Sequence, residues 1–385
     1  MAEGLKAEGN EVDVLTGLPN YPKGKIFDGY RGCVSRKEEH NGARLFRYWM
    51  YATVSRNPLA RIINMFSFAV IIWLFAFKRK TVRAYDMVII QTPSLVVAAS
   101  AMKLFKGVYG RRCVLNVSDI WPSTAVDMGA MKEGGYSYRF LRKCELFLYR
   151  KCDAVLGQSQ EILDYVKDEM QRCGMETDSK RFLYRNLQHY ALSYDHKKRN
   201  DKLKVVYSGL LGVAQDVAGI VQNVPFQQLG VEFHIFGGGN QLSEIEAWCA
   251  SHPDSNVFTH GFVPKEQIAE CLLKMDVGII PLSTRIRGAV PSKLYDILPQ
   301  GLPVLYAGGG EGAAFVESRE IGYTCTPGDY AALTENITRM RDMDEEEYEQ
   351  MSARCITVSR DELDFNKQMK ECVNFLKFVV AGAEI

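Results

Sequence analysis

Arg287-Gly-Ala-Val-Pro291-Ser-Lys-Leu-Tyr-Asp296-Ile-Leu-Pro-Gln-Gly301-Leu-Pro-Val304-Leu305 decides how this chain is read. An apolar run, Val277 to Leu282, precedes it and reads as a buried strand; a second, Pro303 to Ala307, closes it. Pro291 stands where a first helical turn should be, with Ser292 and Lys293 at its start. A strand that empties into a helix N-terminus leaves several N–H groups unpaired and pointing one way, a ready means of holding an anion such as a diphosphate. Asp296 falls one turn further on, within reach of a sugar hydroxyl.

Working outward, the same strand-then-glycine pattern recurs. Lys204 to Gly212 is a strand ending in a turn at Gly209, Leu210 and Gly212, where a missing Cβ lets backbone approach a phosphate or sugar. Val231 to Phe236 runs into Gly237, Gly238 and Gly239, and Val257 to Val263 forms another strand, with His234 expected in the core and His260 as a cap. After Val304 to Ala307 comes a glycine run with Gly310, Glu311 and Gly312, leading into a helix that contains Glu317.

The front half alternates as well. Residues 1–9 read as a helix end, Glu11 to Gly17 as a strand, and Gly17 to Gly24 as a turn-rich loop carrying Asn20 and Tyr21. Asp86 to Ile90 and Cys113 to Asn116 read as buried strands, and Asp153 to Gly157 as a further strand. Ser94 to Leu104, Tyr138 to Tyr149 and Glu161 to Met170 read as helices, the last capped by Ser159. Such alternation means α/β architecture with parallel, Rossmann-like sheets. A chain of 385 residues is long for one core, and the polar segment from Tyr184 to Asp201 marks the division. The expected domains are 1–186, a linker at 187–202, 203–360, and a terminal helical stripe within 361–385.

Net charge is only +1, which argues against nucleic acid as a partner. Its distribution is uneven: residues 1–117 hold 18 Lys and Arg against 8 Asp and Glu, leaving the remainder acidic. A basic part that also holds the most apolar run, Ile62 to Phe77 followed by Lys78, Arg79 and Lys80, suits an anionic membrane surface or a pyrophosphate-bearing lipid. Sixteen helical residues rise about 24 Å, short of the roughly 30 Å of hydrocarbon a span must cross. Two readings stay open for this helix, burial in the core or rest on lipid, as does plain drift of surface charge. The ten cysteines form no C-x-x-C pair and read as free thiols in a reducing cytoplasm, and no metal-ligand spacing is present. The one D-x-D run, Asp342 to Asp344, opens an acidic stretch that reads as a solvated helix face.

Pro291-Ser-Lys-Leu-Tyr-Asp296 with Gly301-Leu-Pro-Val304 resembles the donor-site signature of glycosyltransferase family 4, in the branch that builds bacterial capsule, O-antigen and colanic-acid-type polysaccharides. Thr16 to Pro22 and Asn116 to Ser123 resemble further motifs of that branch. The resemblance implies the GT-B architecture, two Rossmann-like domains facing across a cleft, and retaining transfer of a sugar from a nucleoside diphosphate sugar, with uracil the default base. It implies a lipid-linked saccharide acceptor, a site on the inner face of the cell membrane, and neither cofactor nor metal. Asp296 takes the place of the second acid of the family's E-x7-E motif, which accepts from the ribose; Gly288 stands where the first would fall. Ser292, Lys293 and Arg287 are the implied partners of the diphosphate, with Gly209, Leu210, Gly212, Gly310, Glu311 and Gly312 around it. Phe262 and Val263 lie in the loop implied to hold the base. Asp119 is implied to orient or deprotonate the acceptor, with Trp121, Asn20 and Tyr21 beside it. The family also places a strand and a glycine loop ahead of residues 1–9, so the sequence is expected to begin inside its first domain.

Two competitors share the architecture. A nucleotide-sugar epimerase would release free sugar without an acceptor, and Gly288 and the apolar helix count against it. A non-catalytic, membrane-associated partner subunit would show no heat of binding with nucleoside diphosphates.

Overall fold

The two apolar runs that flank the deciding stretch are buried along their whole length, whereas Met87–Gln91, also expected to be buried, is mostly half-buried and exposed at its end. Val277–Pro281 and Val304–Ala307 expose no residue on either face and pair in parallel, as strands covered by helices on both sides must. The structure, a computed structural model, describes residues 1–20, 24–55, 57–175, 180–188 and 198–382. The chain divides into two compact units, one of residues 1–185 with 366–385, the other of residues 186–365.

In the first unit β1 (Asp13–Gly17), β2 (Ser35–His40) and β3 (Ala43–Tyr48) form one sheet in the order β1-β3-β2. β4 (Met87–Gln91), β5 (Arg112–Val117), β6 (Ala154–Gly157) and β7 (Lys180–Leu183) form a second, parallel sheet in sequential order. Helices Leu95–Met102, Tyr136–Lys151 and Gln160–Arg172 accompany it, and Ser159 caps the last by accepting from the Ile162 N–H at 3.1 Å. The helix Phe365–Ala381 packs on this unit: Phe375 stacks on Phe182 at 5.3 Å, and the Gln368 carboxamide both donates to and accepts from the Arg185 backbone at 2.9 Å.

The apolar run is α-helical over Pro58–Ile71, capped by the Asn57 side chain, and continues as a 3₁₀ turn over Ile72–Phe77. Counted from Leu59 to Phe77 it is 19 residues, longer than expected and sufficient by length and composition for a membrane span. One stripe is committed to the core, where Phe75 meets Phe46 edge-on at 5.1 Å beside Ala69 and Ile72. The opposite stripe is bare: Val70 is 68% and Phe77 81% exposed. Only 17% of the run is buried, so a plain core helix is the wrong description.

The second unit holds one six-stranded parallel sheet. Its strands are β8 (Lys204–Leu210), β9 (Glu232–Gly238), β10 (Val257–Gly261), β11 (Val277–Pro281), β12 (Val304–Ala307) and β13 (Gly322–Cys325), in the spatial order β10-β9-β8-β11-β12-β13. The chain builds outward from β8 in one direction, then returns to its other side with β11. β8 and β11 therefore flank a topological switch point, where the carboxyl ends of a doubly wound sheet leave a crevice. At the opposite edge Asp276 is fully buried and accepts from the Asn200 and Lys204 backbone N–H groups at 3.0 and 2.7 Å, a structural duty.

Candidate functional site

Gly278 in β11 lets the next helix close in, since a Cβ there would lie 2.7 Å from Ile297. Leu294, Ile297 and Leu298 bury themselves against the sheet at helical spacing, which turns Ser292, Lys293 and Asp296 toward the outside. Ser292 is exposed, and Lys293 and Asp296 are half-buried.

The helix itself corrects an expectation. It spans only Lys293–Ile297, continued by a 3₁₀ turn to Gln300, with Ser292 as N-cap, so Pro291 precedes the cap instead of occupying the first turn. The Leu294 and Tyr295 N–H groups bond back to the Pro291 and Ser292 carbonyls at 3.1 and 2.9 Å. Fewer backbone donors face an anion than the pattern promised, and more of the positive field must come from a side chain.

Lys293 is that side chain. It crosses to the end of β8 and lies on Gly209, where a Cβ would meet its Cε at 2.3 Å. Its Nζ sits 5.1 Å from the centroid of the Tyr207 ring, whose hydroxyl donates to the Leu210 carbonyl at 2.5 Å. Burial pushes the Lys293 amine below its ordinary pKa, while the charge of Asp296 pulls it back up. The switch point thus brings together Lys293, Asp296 and Gly209, from strand ends adjacent in space and far apart in sequence.

The neighbouring loops meet the same edge. Leu210 is exposed, and Gly212 sits against the Gln215 side chain. Gly237 and Gly239 have no room for a Cβ because the Gly209 and Leu211 carbonyls lie 1.8 and 2.2 Å from where it would be. Helix Gly310–Ser318 opens directly after β12, with Glu311 in its first turn. Gly312 owes its lack of a side chain to the Tyr306 hydroxyl, 2.2 Å from the Cβ it would carry, so part of this glycine run is needed for packing. Arg287 stands exposed in a turn; Arg285, which the sequence reading passed over, is exposed as well and lies along Gly309 at the start of that helix, 3.3 Å from where the glycine's Cβ would be. Phe262 is 79% exposed beyond β10, and Val263 packs partly into the core. His260 is not a cap: its Nε2 is 3.0 Å from His234 Nδ1, and His234 also meets Glu232 at 3.2 Å.

In the first unit Asp119 and Trp121 leave the carboxyl end of β5, with Trp121 half-buried against the core. Burial raises the Asp119 carboxyl above the usual carboxylate range, and no donor among the described residues bonds it. The residue before it, Ser118, belongs to a polar cluster that the sequence did not announce, made of Gln91, Asn116, Ser118 and Gln158 from the ends of β4, β5 and β6. Asn20 donates to the Leu18 carbonyl at 2.8 Å and lines a separate pocket with Arg47 and Met50. Tyr21 lies outside the described residues.

Among the described residues no three His, Cys, Asp or Glu side chains gather as a metal site. The D-x-D run is spent locally: Asp342 pairs with Arg341 at 2.7 Å, and Asp344 caps the following helix through the Glu347 N–H at 2.8 Å. All ten cysteines are free thiols.

Residues 1–172 match the family model described as glycosyl transferase 4-like domain, and residues 203–342 the one described as glycosyl transferases group 1. The chain is 23% identical over 340 residues to WcaI of Escherichia coli (strain K12), named as a colanic acid biosynthesis glycosyl transferase; the match covers 84% of this chain and 80% of that protein. It is 24% identical over 296 residues to WbjE of Pseudomonas aeruginosa, named as a glycosyltransferase, with 74% and 72% covered. Among solved structures it is similar to sucrose-phosphate synthase from Thermosynechococcus elongatus, with a TM-score of 0.73 at 14% identity over 99% of this chain and 92% of that one. It is also similar to Anabaena HepE in complex with UDP and glucose, with a TM-score of 0.63 at 14% identity over 96% and 100%. At such identities the structural likeness establishes the fold.

Proposed function

We propose that this chain, which belongs to the GT-B glycosyltransferases of the family 4 kind, moves a glycosyl group from a nucleoside diphosphate sugar to a lipid-linked saccharide in the synthesis of a bacterial surface polysaccharide. The observation that carries this reading is Lys293, held on Gly209 at the switch point of the second unit with Asp296 within electrostatic reach. The complex of HepE with UDP and glucose supports a uridine diphosphate donor, and the likeness to WcaI, a protein of colanic acid biosynthesis, supports an extracellular-polysaccharide product.

In this reading the bond from the anomeric carbon to the diphosphate oxygen breaks, and its electron pair stays on the diphosphate. Lys293 offsets that charge in a partly dehydrated place, where a fixed cation is worth more than in water. Ser292 lies beside it, and Arg285, in the same loop as Arg287 and likewise exposed, reaches Gly309 at the start of the next helix and is a second candidate cation beside Arg287. Asp296 accepts from a ribose hydroxyl. The acceptor hydroxyl bonds to the same face of the anomeric carbon and its proton passes to the departing diphosphate, so configuration is retained. Asp119 orients that hydroxyl. Phe262 and Val263 flank the base, and Leu210, Gly212, Gly310, Glu311 and Gly312 border the diphosphate.

The bare stripe from Leu59 to Phe77, followed by Lys78, Arg79 and Lys80, supports rest on the inner face of the cell membrane. A span is less consistent with it, because the stripe through Phe75 already belongs to the core. Calorimetric titration with UDP tests the donor half. The expected result is saturable heat in the native chain that weakens in Asp296→Ala, and no heat in either would overturn the reading.

A further inference from the structure

The polar cluster at the ends of β4, β5 and β6 has a hydrogen-bond logic that fixes the polarity of Gln91 and Asn116. Gln91 bonds the Thr92 backbone carbonyl at 2.9 Å, and a carbonyl can only accept, so the Gln91 atom there is Nε2. Its Oε1 then faces Asn116 and accepts a hydrogen bond from Asn116 Nδ2 at 2.6 Å. The same Gln91 Nε2 also donates to Ser118 Oγ, and Gln158 Nε2 approaches that oxygen at 3.1 Å. With Gln158 presenting Nε2, both lone pairs of Ser118 Oγ are occupied by amides and its single proton points elsewhere. Ser118 is half-buried, in the bend that leaves β5, and Asp119 is the next residue.

We propose that Ser118 is a positioning residue for the acceptor: its hydroxyl, aimed outward by Gln91 and Gln158, donates to a sugar oxygen while Asp119 accepts from the attacking hydroxyl beside it. Together they read a donor-and-acceptor pair, the signature of neighbouring hydroxyls on a pyranose. No Lys or Arg among the described residues bonds into the cluster, and Asp119 would repel a carboxylate, so the sugar read here is neutral. The inference rests on the assignment of Asp119 to the acceptor side.

Saturation-transfer NMR on the full chain tests it, with methyl glucoside, methyl galactoside and methyl N-acetylglucosaminide as neutral probes and glucuronate as the anionic one. Native protein should transfer saturation to at least one neutral probe and not to glucuronate. Ser118→Ala should weaken that contact about tenfold, the worth of one hydrogen bond, and Ser118→Thr should restore most of it. Gln158→Glu is the sharper variant, because an acceptor at that place draws the Ser118 proton inward, so it should behave like Ser118→Ala with the hydroxyl still present. Thermal melts of all three variants should match the native chain. Neutral probes that fail to bind, a preference for glucuronate, or contact that survives both Ser118→Ala and Gln158→Glu would overturn the proposal. UDP calorimetry on the same samples separates it from the broader reading: UDP heat without Ser118-dependent sugar contact sinks only this site, and sugar contact without UDP heat sinks the donor assignment.

Discussion

Lys293 lies across the bare Cα of Gly209, so close that a Cβ there would meet its Cε at 2.3 Å and its Nζ at 2.9 Å. The clash falls on the movable end of a long side chain, and Gly209 also holds φ at +143°, where a side chain is strained by about 1–3 kcal/mol. Gly209→Ala should therefore fold with a modest loss of stability yet displace the ammonium, lowering turnover by about 10²-fold if that charge faces the leaving group. Gly237→Ala is the contrast. Its Cβ would sit 1.8 Å from the Gly209 carbonyl oxygen, backbone against backbone, so that variant should melt far earlier or fail to fold. Calorimetry paired with turnover separates the two, and native turnover in Gly209→Ala would remove Lys293 from the reaction.

A buried amine costs stability when charged. The Lys293 pKa is lowered chiefly by burial, so the unfolded chain binds its proton more tightly and this group favours folding less as pH falls below the unfolded amine value. Lys293→Met should consequently hold or raise the melting temperature at neutral pH while cutting turnover more than Asp296→Asn does. Equal kinetic losses in the two variants would argue against a leaving-group role for Lys293.

Asp296 has a separate readout. As a ribose partner its carboxylate contributes a charged hydrogen bond, and Asp296→Ala should weaken UDP binding by about 1.5–3 kcal/mol. Titration calorimetry measures this directly, and an unchanged dissociation constant would end the assignment.

The alternation of apolar runs with helices was legible because a parallel strand covered on both faces must be apolar at nearly every position, as β11 and β12 are. The β2–β3 hairpin was missed for the converse reason. Ser35–His40 is a polar strand with little burial, and its one local sign was Asn41-Gly42, whose φ values of 47° and 73° form the tight turn. At the site, spacing placed Ser292, Lys293 and Asp296 on one helix but said nothing of which strand the lysine would reach. That depends on β8 and β11 being neighbours, a property of topology. Arg285 and the cluster around Ser118 were hidden likewise, since their partners are 24 or more residues away and carry no shared periodicity.

Asp119 should divide activity from stability. Burial raises its pKa, so its ionised form is the costly one: the group favours folding at low pH, and that contribution is lost as pH rises through the folded value. Asp119→Asn should then melt higher than the native chain near neutral pH, with the gain shrinking as the buffer is made acidic. Turnover should fall by about 10²-fold if the carboxylate orients the acceptor hydroxyl. In the native chain the acid limb of the rate profile should lie above the ordinary carboxylate range. Lower stability of Asp119→Asn at neutral pH, with normal turnover, would recast Asp119 as a structural group.

The bare stripe of the apolar helix makes a claim about lipid that can be read without any knowledge of the acceptor. Val70 and Phe77 are among its most exposed members, while Ile72 and Phe75 are fully buried, so polar substitution of the first pair leaves the core intact. Val70→Ser with Phe77→Ser should lower sedimentation with phosphatidylglycerol vesicles and improve solubility, with melting temperature and UDP binding unchanged. Replacing Lys78, Arg79 and Lys80 by Gln should weaken the same association by about 1 kcal/mol per charge and flatten its dependence on salt. Phosphatidylcholine vesicles should bind the native chain less well than phosphatidylglycerol ones. If the doubly substituted chain floats with anionic vesicles as well as the native one does, the stripe does not face lipid.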